Sequence, residues 1–177
     1  MQKEVEEIAT RENLLAIMRE VKRRMGAITH ITKEYGISFS NKNLSEIVGK
    51  VMEKVASEYF TKKLRYEVVN ALRDKDPDLF FTKILLPLEI KITSTTNAWT
   101  GGEFSKRPFH YFLVSWGGEF DEFFVCAVKL DKEDWKSNMS KNYYGPSLSI
   151  KKLQEKQDKL VLIGKIDSKG RMVREKV

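Results

Sequence analysis

The five residues Leu88-Glu89-Ile90-Lys91-Ile92 alternate apolar and charged side chains, and no other stretch of the chain constrains its fold so tightly. Successive side chains of a strand point to opposite faces. Leu88, Ile90 and Ile92 therefore belong to a core, while Glu89 and Lys91 share the other face. Such a strand needs a sheet around it and a layer to cover its apolar side, so the rest of the chain must supply both.

The remaining periodicities meet that need. From about Val5 to Ile31, apolar residues recur at helical spacing (Val5, Ile8, Leu14, Leu15, Met18, Val21, Met25, Ile28), which predicts one long helix or two. After Gly36 and a mostly polar stretch, Asn43 with Glu46 three residues on marks the start of a further helix running to about Leu64. Strands are predicted over Tyr66 to Leu72, Leu79 to Leu86, Leu88 to Ile92, Tyr111 to Trp116, Phe123 to Leu130 and Leu160 to Ile166. Ser94 to Pro108 reads as a loop, Asp131 to Ser140 as a segment with a short helix, Tyr143 to Pro146 as a turn and Ser149 to Lys156 as a helix. The order implies an α/β (α+β) fold with a mixed central sheet flanked by helices, its first three strands forming one edge.

At 177 residues the chain suffices for a single domain. It divides into an N-terminal helical region of about 1–64, a sheet of about 65–130 and a basic region of about 131–177. The last is defined by charge: of the net +7, most arises from Lys129 onward, with thirteen Lys and Arg against seven Asp and Glu. Such an excess fits a polyanionic partner as well as it fits a plain solvated surface. The single cysteine, Cys126, lies in an apolar run and excludes an internal disulfide or a cysteine-based zinc site. Neither a signal-peptide core nor a long uninterrupted apolar run is present, so a soluble cytoplasmic protein with no membrane partner is expected.

The chemistry concentrates on three residues. Asp78 follows Pro77 at the start of a strand and reaches Glu89 and Lys91 if the chain turns back near residues 83–87 and pairs antiparallel. Two carboxylates and an ammonium in one place suit phosphodiester hydrolysis. The carboxylates offer hard oxygen ligands to Mg²⁺ and the backbone carbonyl of Ile90 offers a further one, while Lys91 is placed to orient or deprotonate water and to offset charge on the phosphate. Against this stands the plain alternative, a same-face ion pair on an exposed strand.

Pro77-Asp78, ten residues, then Glu89-Ile90-Lys91 resembles the motif of the PD-(D/E)xK nucleases, to which many type II restriction endonucleases belong. Gly49-Lys50-Val51-Met52-Glu53, with Ala56 and Phe60 beyond, looks like that family's N-terminal helix, whose Glu often completes the metal site. The resemblance implies a restriction-endonuclease-like core, with Asp78, Glu89, Lys91 and Glu53 catalytic. It implies Mg²⁺, replaceable by Mn²⁺, bound by Asp78, Glu89 and Ile90. It further implies a homodimer cutting double-stranded DNA at a short site to leave 5′-phosphate ends, with a separate methyltransferase as companion. A repair or Holliday-junction-resolving nuclease of the same family and a non-catalytic DNA-binding module are the alternatives. Glu53 shares a helical stripe with Ala56 and Phe60, whereas Glu46 has a capping role open to it and Glu58 is a reserve candidate.

DNA contacts are expected after the Glu89–Lys91 strand. Ser94 is close enough to Lys91 to touch a phosphate, Asn97 suits adenine, Lys106 and Arg107 suit guanine or phosphate, and Trp99 suits stacking on a base step. His110 is a candidate backbone contact, and Tyr143, Tyr144, Lys151 and Lys152 combine aromatic and basic character. Each has an ordinary structural alternative as a loop, core or turn residue.

Overall fold

A computed structural model of the chain describes residues 2–73, 75–94, 98–117, 120, 122–140, 143–155, 160–166 and 172–173. Three helices open it: α1 (Gln2–Ile8), α2 (Arg11–Glu34) and α3 (Asn41–Lys62). The N-terminal periodicity thus resolves into two helices. Thr10 separates them as the cap of α2, its hydroxyl accepting from Asn13 N–H at 3.2 Å. Helix α3 starts two residues before Asn43, because Ser40 takes the capping position and accepts from the Asn43 N–H at 3.2 Å.

Seven strands form the main sheet: β1 (Val68–Asn70), β2 (Leu79–Phe81), β3 (Leu86–Ser94), β5 (Phe109–Gly117), β6 (Glu122–Leu130), β9 (Leu160–Ile166) and β10 (Met172–Val173), in the order β1-β2-β3-β5-β6-β9-β10. Pairing is antiparallel except between β3 and β5, so the sheet is mixed, and β1, β2 and β3 lie together at one edge. This is the fold class anticipated from the element order. A second, three-stranded sheet was not. It runs β4-β8-β7, from β4 (Trp99–Thr100), β8 (Tyr143–Leu148) and β7 (Lys136–Ser140). The expected loop therefore contains a short strand and a 3-10 turn over Glu103–Lys106, and the expected turn at Tyr143 to Pro146 is a strand. A short helix, α4 (Ile150–Gln154), follows β8.

The two faces of the main sheet bury different cores. On one, Leu88, Ile90, Phe112, Val114 and Val125 pack under the apolar stripes of α2 (Leu14, Ile17, Met18, Val21, Met25) and α3 (Val48, Met52, Val55, Ala56, Phe60). Phe60 sits edge-on to Phe81, with ring centroids 5.1 Å apart, and fixes α3 over β2 and β3. On the other face, Tyr111, Leu113, Phe124 and Cys126 pack against Trp99, Trp135, Leu148 and Leu153 of the second sheet and its flanks. Strand β5 is buried along its whole length, as a central strand covered on both sides must be.

Candidate active site

Strand register brings the motif residues together. Leu79 pairs with Leu88, which sets Asp78 opposite Glu89 where β2 runs out. The backbone N–H of Ile90 has no strand partner at that point, and the Asp78 carboxylate replaces one, accepting through Oδ2 at 2.7 Å. A ladder bond is thus completed by a side chain, which holds the carboxyl group in place. The turn that makes this pairing possible contains Leu85, in the left-handed region at φ 50°.

Glu89 is buried at 5% exposure and its Oε1 accepts from Lys91 Nζ at 2.5 Å. Its Oε2 is buried and has no hydrogen-bond partner. Burial raises the proton affinity of Glu89, the nearby Asp78 carboxylate adds to the rise, and Lys91 opposes it. Burial also raises that of Asp78, against the pull of the Ile90 N–H and of Lys91 and Lys50. Two carboxyl groups share this low-dielectric place, one with a buried oxygen unsatisfied. That is an unstable arrangement unless a cation or a proton joins it.

The donor set fits a hard divalent cation: carboxylate oxygens from Asp78 and Glu89, one of them otherwise orphaned. Among the described residues no three His, Cys, Asp or Glu side chains converge as a cation cage, so the acidic contribution here is a pair. Glu53 falls outside it. Both of its oxygens are taken by Lys50 Nζ, at 2.9 and 2.8 Å, although it is near enough to Asp78 and Lys91 to feel both charges. Ala56 and Phe60 are fully buried and Glu53 half-buried, as their common stripe implied. Glu46 is exposed, and Glu58 ties α3 to α2 through Arg24 at 2.7 Å, which removes it from consideration.

Lys50 is the residue that motif reading passed over. With Arg73, Asp76, Asp78 and Glu89 it lines a cavity of about 320 Å³, and Asp78 and Glu89 both act on its charge. Its spacing of three from Glu53 on a helix was the available signal. Asp76 shapes the opposite wall, its Oδ2 accepting from the N–H groups of Leu72 and Arg73 at 3.3 and 3.1 Å.

The residues proposed to contact DNA scatter. Trp99 is wholly buried, with its indole N–H donating to the Val114 carbonyl at 2.8 Å and its ring tilted against Phe124, so no face remains for a base. His110 is 3% exposed, and burial together with Lys129 lowers its pKa to about 4, so at neutral pH it is an uncharged interior side chain rather than a backbone contact. Ser94 ends β3 and is also buried. Lys106 is exposed and paired with Glu103 at 2.8 Å, while the Arg107 guanidinium lies 5.5 Å from the ring centroids of both Phe104 and Phe109. Lys151 and Lys152 are exposed on α4, Tyr143 and Tyr144 belong to β8, and Asn97 lies outside the described residues.

Neither the family models nor the curated proteins searched contain a match to the chain. The functional reading accordingly rests on the geometry of the site.

Proposed function

We propose that this protein is a Mg²⁺-dependent endonuclease that hydrolyses phosphodiester bonds of double-stranded DNA, as a site-specific homodimer of the type II restriction class. The observation that carries the reading is the Asp78–Ile90 hydrogen bond, which joins Asp78 to Glu89 and Lys91 while leaving a buried Glu89 oxygen unsatisfied.

Asp78 and Glu89 would hold the ion, with the Ile90 carbonyl as the third protein ligand anticipated from the motif. Bound there, Mg²⁺ supplies Lewis-acid polarisation of the phosphate and acidification of water. The chain's own residues do the rest. Lys91 is anchored by Glu89 and presents an ammonium at the strand surface, where it orients the attacking water and offsets charge on the phosphate. Lys50 and Arg73 add positive charge to the cavity wall facing the two carboxylates, which favours entry of an anionic substrate. Lys50 also keeps Glu53 engaged, leaving it a positioning group.

A second reading, a repair or junction-resolving nuclease with the same site, gains from one observation. Burial of Trp99 and His110 removes two of the anticipated contacts from the DNA face, and an enzyme that reads shape needs fewer base contacts. Incubating the purified protein with supercoiled plasmid and phage DNAs, with Mg²⁺, with Mn²⁺ or with EDTA, separates the readings. Discrete metal-dependent fragments support restriction, and cutting confined to branched DNA supports resolution. An absence of cleavage on every DNA, with binding retained, would leave a binding module and end the enzymatic reading.

A further inference from the structure

At the end of the main sheet where β3 and β5 begin and β6 finishes, a cleft of about 300 Å³ opens between Lys75, Arg107, His110 and Lys129, with Pro77 and Pro87 in its walls. Pro77 adjoins Asp78. Pro87 precedes Glu89 by two residues on the same strand, roughly 7 Å along it. The cleft therefore begins beside the carboxylate pair without including it.

Three features make it more than a solvated basic surface. Arg107 is held by two aromatic rings, Phe104 and Phe109, which are themselves 4.4 Å apart. Stacking of this kind fixes the guanidinium plane and leaves its N–H edge for an anion, a geometry suited to phosphate. Among the described residues, Lys75, Arg107 and Lys129 form no salt bridge. The nearest acid acting on Lys75 and Arg107 is the fully exposed Glu103, already bound to Lys106. Finally, the prolines and the buried His110 give the cleft a stiff lining, and the cations need little reorganisation to receive a ligand.

We propose that the Lys75–Arg107–Lys129 cleft is a backbone subsite that binds a phosphodiester phosphate of the DNA strand next to the phosphate presented to Asp78 and Glu89. The proposal rests on the nuclease reading for the identity of its ligand, and it assigns Lys75 and Lys129 roles that motif reading had not given them. Arg107 contacts a phosphate in this account and reads no base.

The test is fluorescence anisotropy of a labelled mixed-sequence DNA duplex in EDTA, over a range of NaCl concentrations, so that binding is measured without cleavage. Each phosphate contact contributes about 0.9 to the slope of log K against log salt. Lys75→Ala/Arg107→Ala/Lys129→Ala should reduce that slope by roughly 2 to 3, and Lys75→Ala/Lys129→Ala, which leaves the aromatic stack intact, by roughly 2. Lys33→Ala/Lys62→Ala/Lys63→Ala, with the same charge change on exposed helical positions, should leave it within about 0.5 of the wild-type value. Equal slopes for the cleft variants and wild type, or an equal loss in the helical control, would overturn the cleft and leave the nuclease reading standing. Failure of the wild-type protein to bind any duplex would overturn both. Plasmid cleavage by wild type reports on the nuclease reading separately.

Discussion

Glu89 illustrates what the site demands of a single residue. Its carboxyl group is buried, shares its surroundings with Asp78 and has an oxygen without a partner, and burial raises its pKa in the folded chain. The sign of the consequence follows from proton linkage. Between the ordinary carboxylate pKa and the raised folded value, the unfolded chain has released its proton and the folded chain has not. Stability therefore falls as pH rises through that window, and at neutral pH the full penalty is present. Glu89→Gln should consequently raise the melting temperature at pH 7, by about 2–4 °C for each kcal/mol relieved, and make it less dependent on pH in the weakly acidic range. Added Mg²⁺ should stabilise the wild type and stabilise Glu89→Gln less. Calorimetry across pH, with and without Mg²⁺, checks both, and a lower melting temperature for the variant at pH 7 would contradict the burial argument. Asp78, Glu89 and Lys91 were legible in the sequence because strand alternation and a Pro-Asp pair are local signals. Burial of Trp99 and His110 was not, since it is imposed by a second sheet and by neighbouring strands far away in the chain.

The element that assembles the site is the β2–β3 hairpin, and its turn carries identifiable strain. Leu85 adopts φ 50° while 71% exposed, so its side chain contributes little packing to offset an unfavourable backbone conformation. Leu85→Gly should stabilise the protein by about 1 kcal/mol. Urea unfolding measures this directly, and a destabilised variant would show that Leu85 packs more than its exposure implies. The hairpin itself was readable from the apolar runs on either side of residues 82–87. Strand β8 was misread for a definite reason: Gly145-Pro146 is turn-like locally, and proline is a poor resident of a central strand. Here β4 is only two residues long and pairs with Ser147 and Leu148, so Pro146 lies beyond it, where a missing N–H interrupts no ladder. Its carbonyl still accepts from Gly101 N–H at 2.7 Å. A proline rule stated for full-length neighbours fails next to so short a strand.

Across the whole molecule, the division of labour between faces is the main result. Helices α2 and α3 bury their apolar stripes against the main sheet, so the N-terminal periodicity that suited either a dimer interface or a sheet cover is accounted for by the sheet. Among the described residues no helix is long and apolar enough to cross a membrane. The proposed homodimer must then use surface other than those stripes. Sedimentation velocity should give a mass near twice 20.6 kDa for the proposed enzyme, and a monomer that still cuts both strands at one site would require a different mode of double-strand cleavage. The excess positive charge was visible in composition, but its arrangement was not. Lys50 and Arg73 around the carboxylates, and Lys75, Arg107 and Lys129 in the neighbouring cleft, are brought together only by the fold.

The central claim is that Asp78, Glu89 and Lys91 form one metal-dependent phosphodiesterase site. Its most direct test is the single-turnover rate of Mg²⁺-dependent cleavage by wild type, Asp78→Ala and Lys91→Ala, set beside the affinity of each for the same DNA in EDTA. The account predicts that both substitutions slow cleavage on the order of 10²-fold or more while affinity changes little. Cleavage by either variant at the wild-type rate would remove that residue from the site and contradict the account.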